Sequence, residues 1–288
     1  MSEKCNICPR NCGADRSNSR GVCDAGESLR IARAAPHFWE EPCLSAFGGS
    51  GAVFFSGCNM KCVFCQNREI SAGLKGRDIT VDRLRQIYNE LIDQGCVNIN
   101  LVTPTHYSVQ VLQSLDPQPP VPVVFNTSAY DSVDTLRMFE NKVQIFLPDL
   151  KYMNREIADR YSRAPDYPET AAAAIREMYR QVGAYRLDSD GIMEKGVIIR
   201  HLMLPGALEN TLNVIDWVSS EFAPGQVMFS LMSQYTPPAD CAFPELRQKI
   251  SRAEYERAVD YMYLCGITDG YVQDFDSADA GFIPEWDF

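Results

Sequence analysis

The chain of 288 residues carries 27 Lys and Arg against 38 Asp and Glu, a formal net charge of −11. That surplus argues against nonspecific nucleic-acid binding, which needs a basic surface. With 45% apolar residues and no apolar run near the roughly 18 residues of a membrane span, the composition predicts a globular protein with a full core and neither a membrane nor a nucleic-acid partner. The opening MSEKCNICPR lacks the apolar region of a signal peptide, which reads as a cytoplasmic protein.

Residues 1–50 read as irregular, rich in Cys, Pro, Gly, Arg and Asn with little periodicity. Within them, Cys5, Cys8, Cys12 and Cys23 follow the spacing C-x2-C-x3-C-x10-C. Without an export signal, clustered cysteines suggest metal ligands rather than disulfides. Four thiolates complete a tetrahedral zinc site or hold an auxiliary iron–sulfur cluster, and spacing does not separate the two. Structural zinc is favoured, because a segment this small draws its folding energy from a metal. Cys43 is a further candidate ligand, whereas Cys96, Cys241 and Cys265 read as small buried hydrophobes. The expected division is a cysteine-rich metal-binding segment with its connector over 1–45, a catalytic core over 46–240, and a C-terminal helix and tail over 241–288.

From residue 52 on, short apolar runs alternate with helical patterns. The runs cover 52–57, 98–103, 121–127, 143–150, 196–204 and 226–233. Their β-branched and aromatic character suits strands buried on both faces. Between them, Leu84, Ile87, Tyr88, Leu91 and Ile92 mark one amphipathic helix capped by Thr80; Ile175, Met178, Tyr179 and Val182 mark another; Leu208, Leu212, Ile215, Val218 and Phe222 a third. Ser251 and Glu254 make a capping box for the last helix, and AGFIPEWDF (280–288) reads as a packing tail. Six strands alternating with helices predict parallel βαβ units, in an open sheet or a partial barrel, with functional groups at the carboxyl ends of the strands.

The first of these strands runs into SGCNMKCVFCQN, where Cys58, Cys62 and Cys65 are spaced C-x3-C-x2-C. A closed zinc site needs a fourth ligand, which would have to come from a distant Cys or His. A [4Fe–4S] cube held by three cysteines instead leaves one iron open.

This motif, with Phe64 before its last cysteine and placed after the first of six strands, resembles the signature of the radical S-adenosylmethionine (SAM) enzymes. The resemblance implies a partial (β/α)6 barrel, a [4Fe–4S] cluster on Cys58, Cys62 and Cys65, and SAM bound at the open iron. It also implies reductive cleavage of SAM to a 5′-deoxyadenosyl radical that abstracts hydrogen, with flavodoxin or ferredoxin as electron donor. Within the superfamily, FFSGCNMKCVFCQN, the DLK at Asp149–Lys151 and IRHLMLPG (199–206) resemble pyruvate formate-lyase activating enzyme and its uncharacterised relatives, for which the substrate is a glycine of a partner glycyl-radical enzyme. By that resemblance Phe64 touches the adenine, Asn126, Thr127 and Asp149 form a monovalent-cation site, and Lys151 and Arg200 contact the carboxylate or ribose of SAM. The activases' Gly-Gly-Glu motif is replaced here by VTPTHY (102–107), and SQYTPP (233–238) replaces a histidine-bearing segment. Thr103, Thr105, His106, Gln234 and Tyr235 are therefore expected to remake the pocket, Thr103 on the SAM side. The rival reading is a non-catalytic interaction protein shaped by its metal sites, and another peptide or a small molecule stays open as substrate.

Overall fold

In the computed structural model, the described residues are 4–45, 48–72, 75–238 and 240–275, so the tail AGFIPEWDF lies outside them. The strands are β1 (Leu29–His37), β2 (Ser50–Phe55), β3 (Arg77–Ile79), β4 (Ile99–Val102), β5 (Val123–Thr127), β6 (Ile145–Pro148), β7 (Arg186–Leu187), β8 (Met193–Leu202), β9 (Met228–Met232) and β10 (Gly270–Val272). Each of the six predicted runs contains or overlaps one of β2, β4, β5, β6, β8 and β9. These pair in that order, all parallel, with β10 added in parallel beyond β9. Intervening helices such as Val81–Asp93, Tyr167–Val182 and Leu208–Glu221 make the fold an α/β partial barrel. Thr80 and Ser251 cap their helices as expected, accepting from the N–H groups of Arg83 and Glu254.

The period-two alternation of the strands builds two apolar layers. Phe55, Leu101, Phe125, Phe146, Ile199 and Phe229 face the helices and join the large outer core. Val124, Leu147, Ile198 and Met228 point inward, where Cys43 and Leu44 close one end of the barrel. Burying each such large side chain contributes about 1.5–3 kcal/mol. The same alternation turns Asn100, Asn126 and Arg200 inward, above that plug.

The expectation of irregular structure through residue 50 is corrected by β1, a nine-residue strand antiparallel to β2 and to β3. The sheet thus begins at Leu29, ahead of the expected core boundary at 46, and extends to Val272, past the boundary at 240. Cys43 is corrected too. It sits among Val124, Ile145 and Met228, away from the N-terminal thiols, and burial pushes its thiol up to about 11.

Candidate active site

Strand β2, buried along its whole length, delivers the three-cysteine loop to the carboxyl end of the sheet. The loop is fixed from several sides. The Asn59 side chain donates to the Tyr130 carbonyl at 2.8 Å, and the Val63 N–H donates to the Tyr161 carbonyl at 2.9 Å. Each thiol has a polar neighbour suited to a sulfur that carries charge: the Met60 N–H 3.4 Å from Cys58 Sγ, the Ser162 hydroxyl 3.1 Å from Cys62 Sγ and the Ser71 hydroxyl 3.3 Å from Cys65 Sγ. Burial, with Cys62 adding to it, pushes the Cys58 thiol up to about 12, and burial raises Cys62 as well. Thiolates in this place need a metal's positive charge, and the Lys151 ammonium favours the same ionised state.

The three cysteines open onto a cavity of about 260 Å³ that also touches Phe64, Thr103, Asn126, Lys151, Arg200 and Gln234. Its polar floor is a buried charge network. Asp149 accepts from Lys151 Nζ and from Arg200 Nε, both at 2.8 Å. Arg200 also donates to Glu40 Oε1 at 2.7 Å and to Asn126 Oδ1 at 2.9 Å. Glu40 Oε2 accepts from Asn100 at 2.7 Å and from Asn126 at 3.3 Å. Although burial opposes its charge, Arg200 is raised further by Asp149, Glu40 and Glu41, and Asp149 is held below its usual range by Arg200 and Lys151. Three converging thiols with N–H and O–H donors and a cation beside them fit a three-cysteine iron–sulfur cluster with an open iron facing the cavity.

The Radical SAM superfamily profile matches residues 52–217, more than half of the chain. The protein belongs to the radical SAM superfamily. Its cofactors are accordingly a [4Fe–4S] cluster and SAM. An uncharacterized protein of Methanocaldococcus jannaschii is 27% identical over 270 residues, covering 90% of this chain and 74% of the relative. Among solved structures, SuiB of Streptococcus suis bound to the precursor peptide SuiA aligns with a TM-score of 0.52 at 13% identity, over 75% of this chain and 46% of that one, a likeness of fold. This radical SAM chain therefore spans less than half the length of SuiB. A domain of pyruvate-formate lyase-activating enzyme from Bacteroides vulgatus aligns at a TM-score of 0.38 and 12% identity, over 67% of this chain and 91% of that domain.

Within this radical SAM site, several expected residues take other places. Asn126, Thr127 and Asp149, expected to form a cation site, all border the cavity; Lys151 and Arg200 donate to the two Asp149 oxygens, and the Thr127 hydroxyl donates to Asp131 at 2.6 Å. His106 does not border the cavity. It is buried, its Nε2–H donates to the Ser56 carbonyl at 2.8 Å, and burial lowers it to about 4, so it is neutral. Tyr235 lies behind Phe64 with its hydroxyl on the Leu246 carbonyl, and Thr105 donates to Asp131; only Thr103 and Gln234 of the expected replacements reach the cavity wall. Glu40 is the residue that sequence reasoning missed. No local pattern distinguishes it from Glu41 beside it.

Of the four N-terminal thiols, Cys12 and Cys23 flank Gly21, and no group of three His, Cys, Asp or Glu among the described residues is arranged to hold a single metal ion. Zinc there requires thiols about 3.8 Å apart, from Zn–S bonds of about 2.3 Å. No helix among the described residues is long and apolar enough to cross a membrane.

Proposed function

We propose that the protein binds SAM in the cavity facing Cys58, Cys62 and Cys65 and abstracts hydrogen from a protein or peptide. The observation that carries this reading is three thiols, and no fourth, opening onto the cavity that Lys151 and Arg200 border. When bound, the reduced cluster supplies the electron that cleaves SAM to a 5′-deoxyadenosyl radical. Lys151 takes the carboxylate of SAM: its ammonium spends one hydrogen bond on Asp149 and keeps donors for a ligand beside the thiols. Arg200 lies in the network below and orients that end of the pocket. Phe64 lies against the adenine, and Thr103 with Asn126 lines the methionine side. A low-potential one-electron donor of the flavodoxin or ferredoxin kind serves the cluster.

A peptide substrate draws support from the peptide-bound SuiB, and a glycine of a glycyl-radical enzyme is the narrower form of it. The support for that narrower form is the likeness of FFSGCN, DLK and IRHLMLPG to the activases. Cys5, Cys8, Cys12 and Cys23 are proposed as a second metal site, for zinc or an auxiliary cluster.

The test is anaerobic reconstitution followed by dithionite and SAM. The expected results are 5′-deoxyadenosine and a change in the electron paramagnetic resonance spectrum of the reduced cluster on adding SAM. A cluster present in full, with neither result, would leave the non-catalytic metal-binding reading standing instead.

A further inference from the structure

We infer that Asp131 is a positioning residue of the SAM pocket: by holding Thr105 and Thr127 together it fixes the segment 127–131, which joins the cavity wall to the three-cysteine loop. The inference rests on the proposal that SAM binds in the cavity facing Cys58, Cys62 and Cys65.

Asp131, Thr105 and Thr127 are all buried. The Thr105 hydroxyl donates to Asp131 Oδ1 and the Thr127 hydroxyl to Oδ2, each at 2.6 Å. That length is the one expected of a hydroxyl on an ionised carboxylate, roughly 2.5–2.7 Å. Burial raises the Asp131 carboxyl, and both hydroxyls act against that rise. A carboxylate out of water is costly unless its oxygens are met, so the two bonds hold as long as the group stays buried.

The two threonines belong to different strand ends. Thr127 is the last residue of β5, and Thr105 stands just past the end of β4. Both strands lead into residues in the left-handed region, Thr103 at φ +58° and Ala129 at φ +59°. Neither is a glycine, so both turns need bonds from outside to hold them. Asp131 spans the two.

The segment so held meets the site at three places. Thr127 and Ser128 border the cavity beside Thr103 and Asn126. The Tyr130 carbonyl accepts the Asn59 side-chain amide at 2.8 Å and so fixes the loop between Cys58 and Cys62. The Tyr167 hydroxyl lies 2.8 Å from the Ser128 carbonyl and 2.6 Å from that of Asp149, sharing its one hydrogen between them, and accepts the Lys151 N–H at 2.9 Å. Asp131 itself is not part of the cavity wall, so it acts through the segment. Freed from Asp131, the segment would displace the Tyr130 carbonyl, which holds the cluster loop, and the Ser128 carbonyl, which shares Tyr167 with Lys151. A site that must keep its groups within about half an ångström is sensitive to such a displacement.

The experiment uses the full chain, reconstituted anaerobically, as wild type, Asp131→Ala, Asp131→Asn and Thr105→Val. Iron and sulfide are counted, SAM affinity is measured by calorimetry, and 5′-deoxyadenosine is measured at saturating SAM with dithionite. Asp131→Ala should keep its loop cluster and bind SAM roughly tenfold more weakly. It should form 5′-deoxyadenosine up to roughly a hundredfold more slowly, the cost of a misplacement of about 1 Å. Asp131→Asn should recover most of both, because its amide offers an acceptor and a donor and each threonine hydroxyl can take either role. Thr105→Val cuts the clasp on the β4 side without altering a residue of the cavity wall. It should lose SAM affinity in the same direction, and it decides the matter if Asp131→Ala does not fold. SAM affinity and rate equal to wild type in Asp131→Ala or in Thr105→Val, whatever the stability, overturns the inference, since Asp131 then serves the fold alone. Asp131→Asn as impaired as Asp131→Ala also overturns it, because the pocket would then require the charge and not the clasp. Wild type that holds a full cluster and binds no SAM overturns the proposed function itself, a result read without any variant.

Discussion

Arg200 Nη1 and Glu40 Oε1 stand 2.7 Å apart, although 160 residues separate them in the chain. Both side chains are largely out of solvent, and Asp149 shares the guanidinium. The pair turns the segment that closes one end of the barrel into part of the cavity floor.

Removing one member of such a network strands the others. Arg200→Met should destabilise the protein by about 3–5 kcal/mol, because Glu40 is left as an unpaired carboxylate. It should also weaken SAM binding roughly tenfold, because Asp149 and Asn126 lose the group that orients that end of the pocket. The double variant Glu40→Gln with Arg200→Met removes the stranded charge, while Lys151 continues to pair with Asp149. Denaturant unfolding should then show most of the stability restored, and calorimetry should show the affinity still low. If affinity returns along with stability, Arg200 is a strut and has no part in ligand binding.

Thr103 has φ +58° at the end of β4, the left-handed region that a β-branched residue avoids. Its N–H still donates to the Asn126 carbonyl at 2.8 Å, so the turn is held from the next strand. Such a residue stores about 1–3 kcal/mol of strain. Thr103→Gly should therefore raise the melting temperature by a few degrees, about 1 kcal/mol after the greater freedom of unfolded glycine is deducted. If the side chain serves the pocket, SAM affinity should fall in the same variant. A lower melting temperature would mean that its contacts outweigh the strain.

His201 is buried, donating from Nδ1 to the Leu150 carbonyl at 2.7 Å and accepting at Nε2 from the Thr211 hydroxyl at 3.0 Å. Burial lowers it to about 4 from 6.5, as for His106. Because the folded value is the lower one, the unfolded chain takes up the proton first as pH falls. The stability that neutral His201 supports is complete above pH 6.5 and is lost toward pH 4, by about 3 kcal/mol. Glu41, raised by burial to about 7 from 4.5, acts in the opposite sense, costing stability as pH rises through that interval. Unfolding free energies at the two ends of the interval between 4.5 and 6.5 should differ less in His201→Gln than in wild type, by about 2 kcal/mol. Equal differences in the two proteins would show that His201 titrates at an ordinary value.

Much of the scaffold is readable without coordinates because its determinants are local. Runs such as VPVVFNT and VQIFLPDL are short, apolar and bounded, so they specify strands buried on both faces. Thr80 and Ser251 cap through bonds to residues three positions on. The spacing of Cys58, Cys62 and Cys65 is itself a geometric statement, since three thiols within one loop can reach one cluster. Strand β1 escaped notice because LRIARAAPH mixes Arg and Pro with small apolar residues. Much of it is only partly buried, and it pairs antiparallel with β2 and β3 outside the parallel alternation of the other strands.

The sequence alone determined the alternation of strands and helices, the three-thiol loop and its place after the first core strand, since each depends on residues within a few positions of one another. The tertiary structure decided which polar groups share the cavity. His106 and Tyr235 stand close to strand ends in sequence yet turn into the protein, whereas Glu40, unmarked by any motif, rises beneath Arg200. It also decided that the Cys23 carbonyl meets the Cys58 amide. Direction and distance between such residues follow from how β1, the closing segment and the sheet pack together, and a buried charge or an unmet N–H group acquires its meaning only from the partner that packing brings to it.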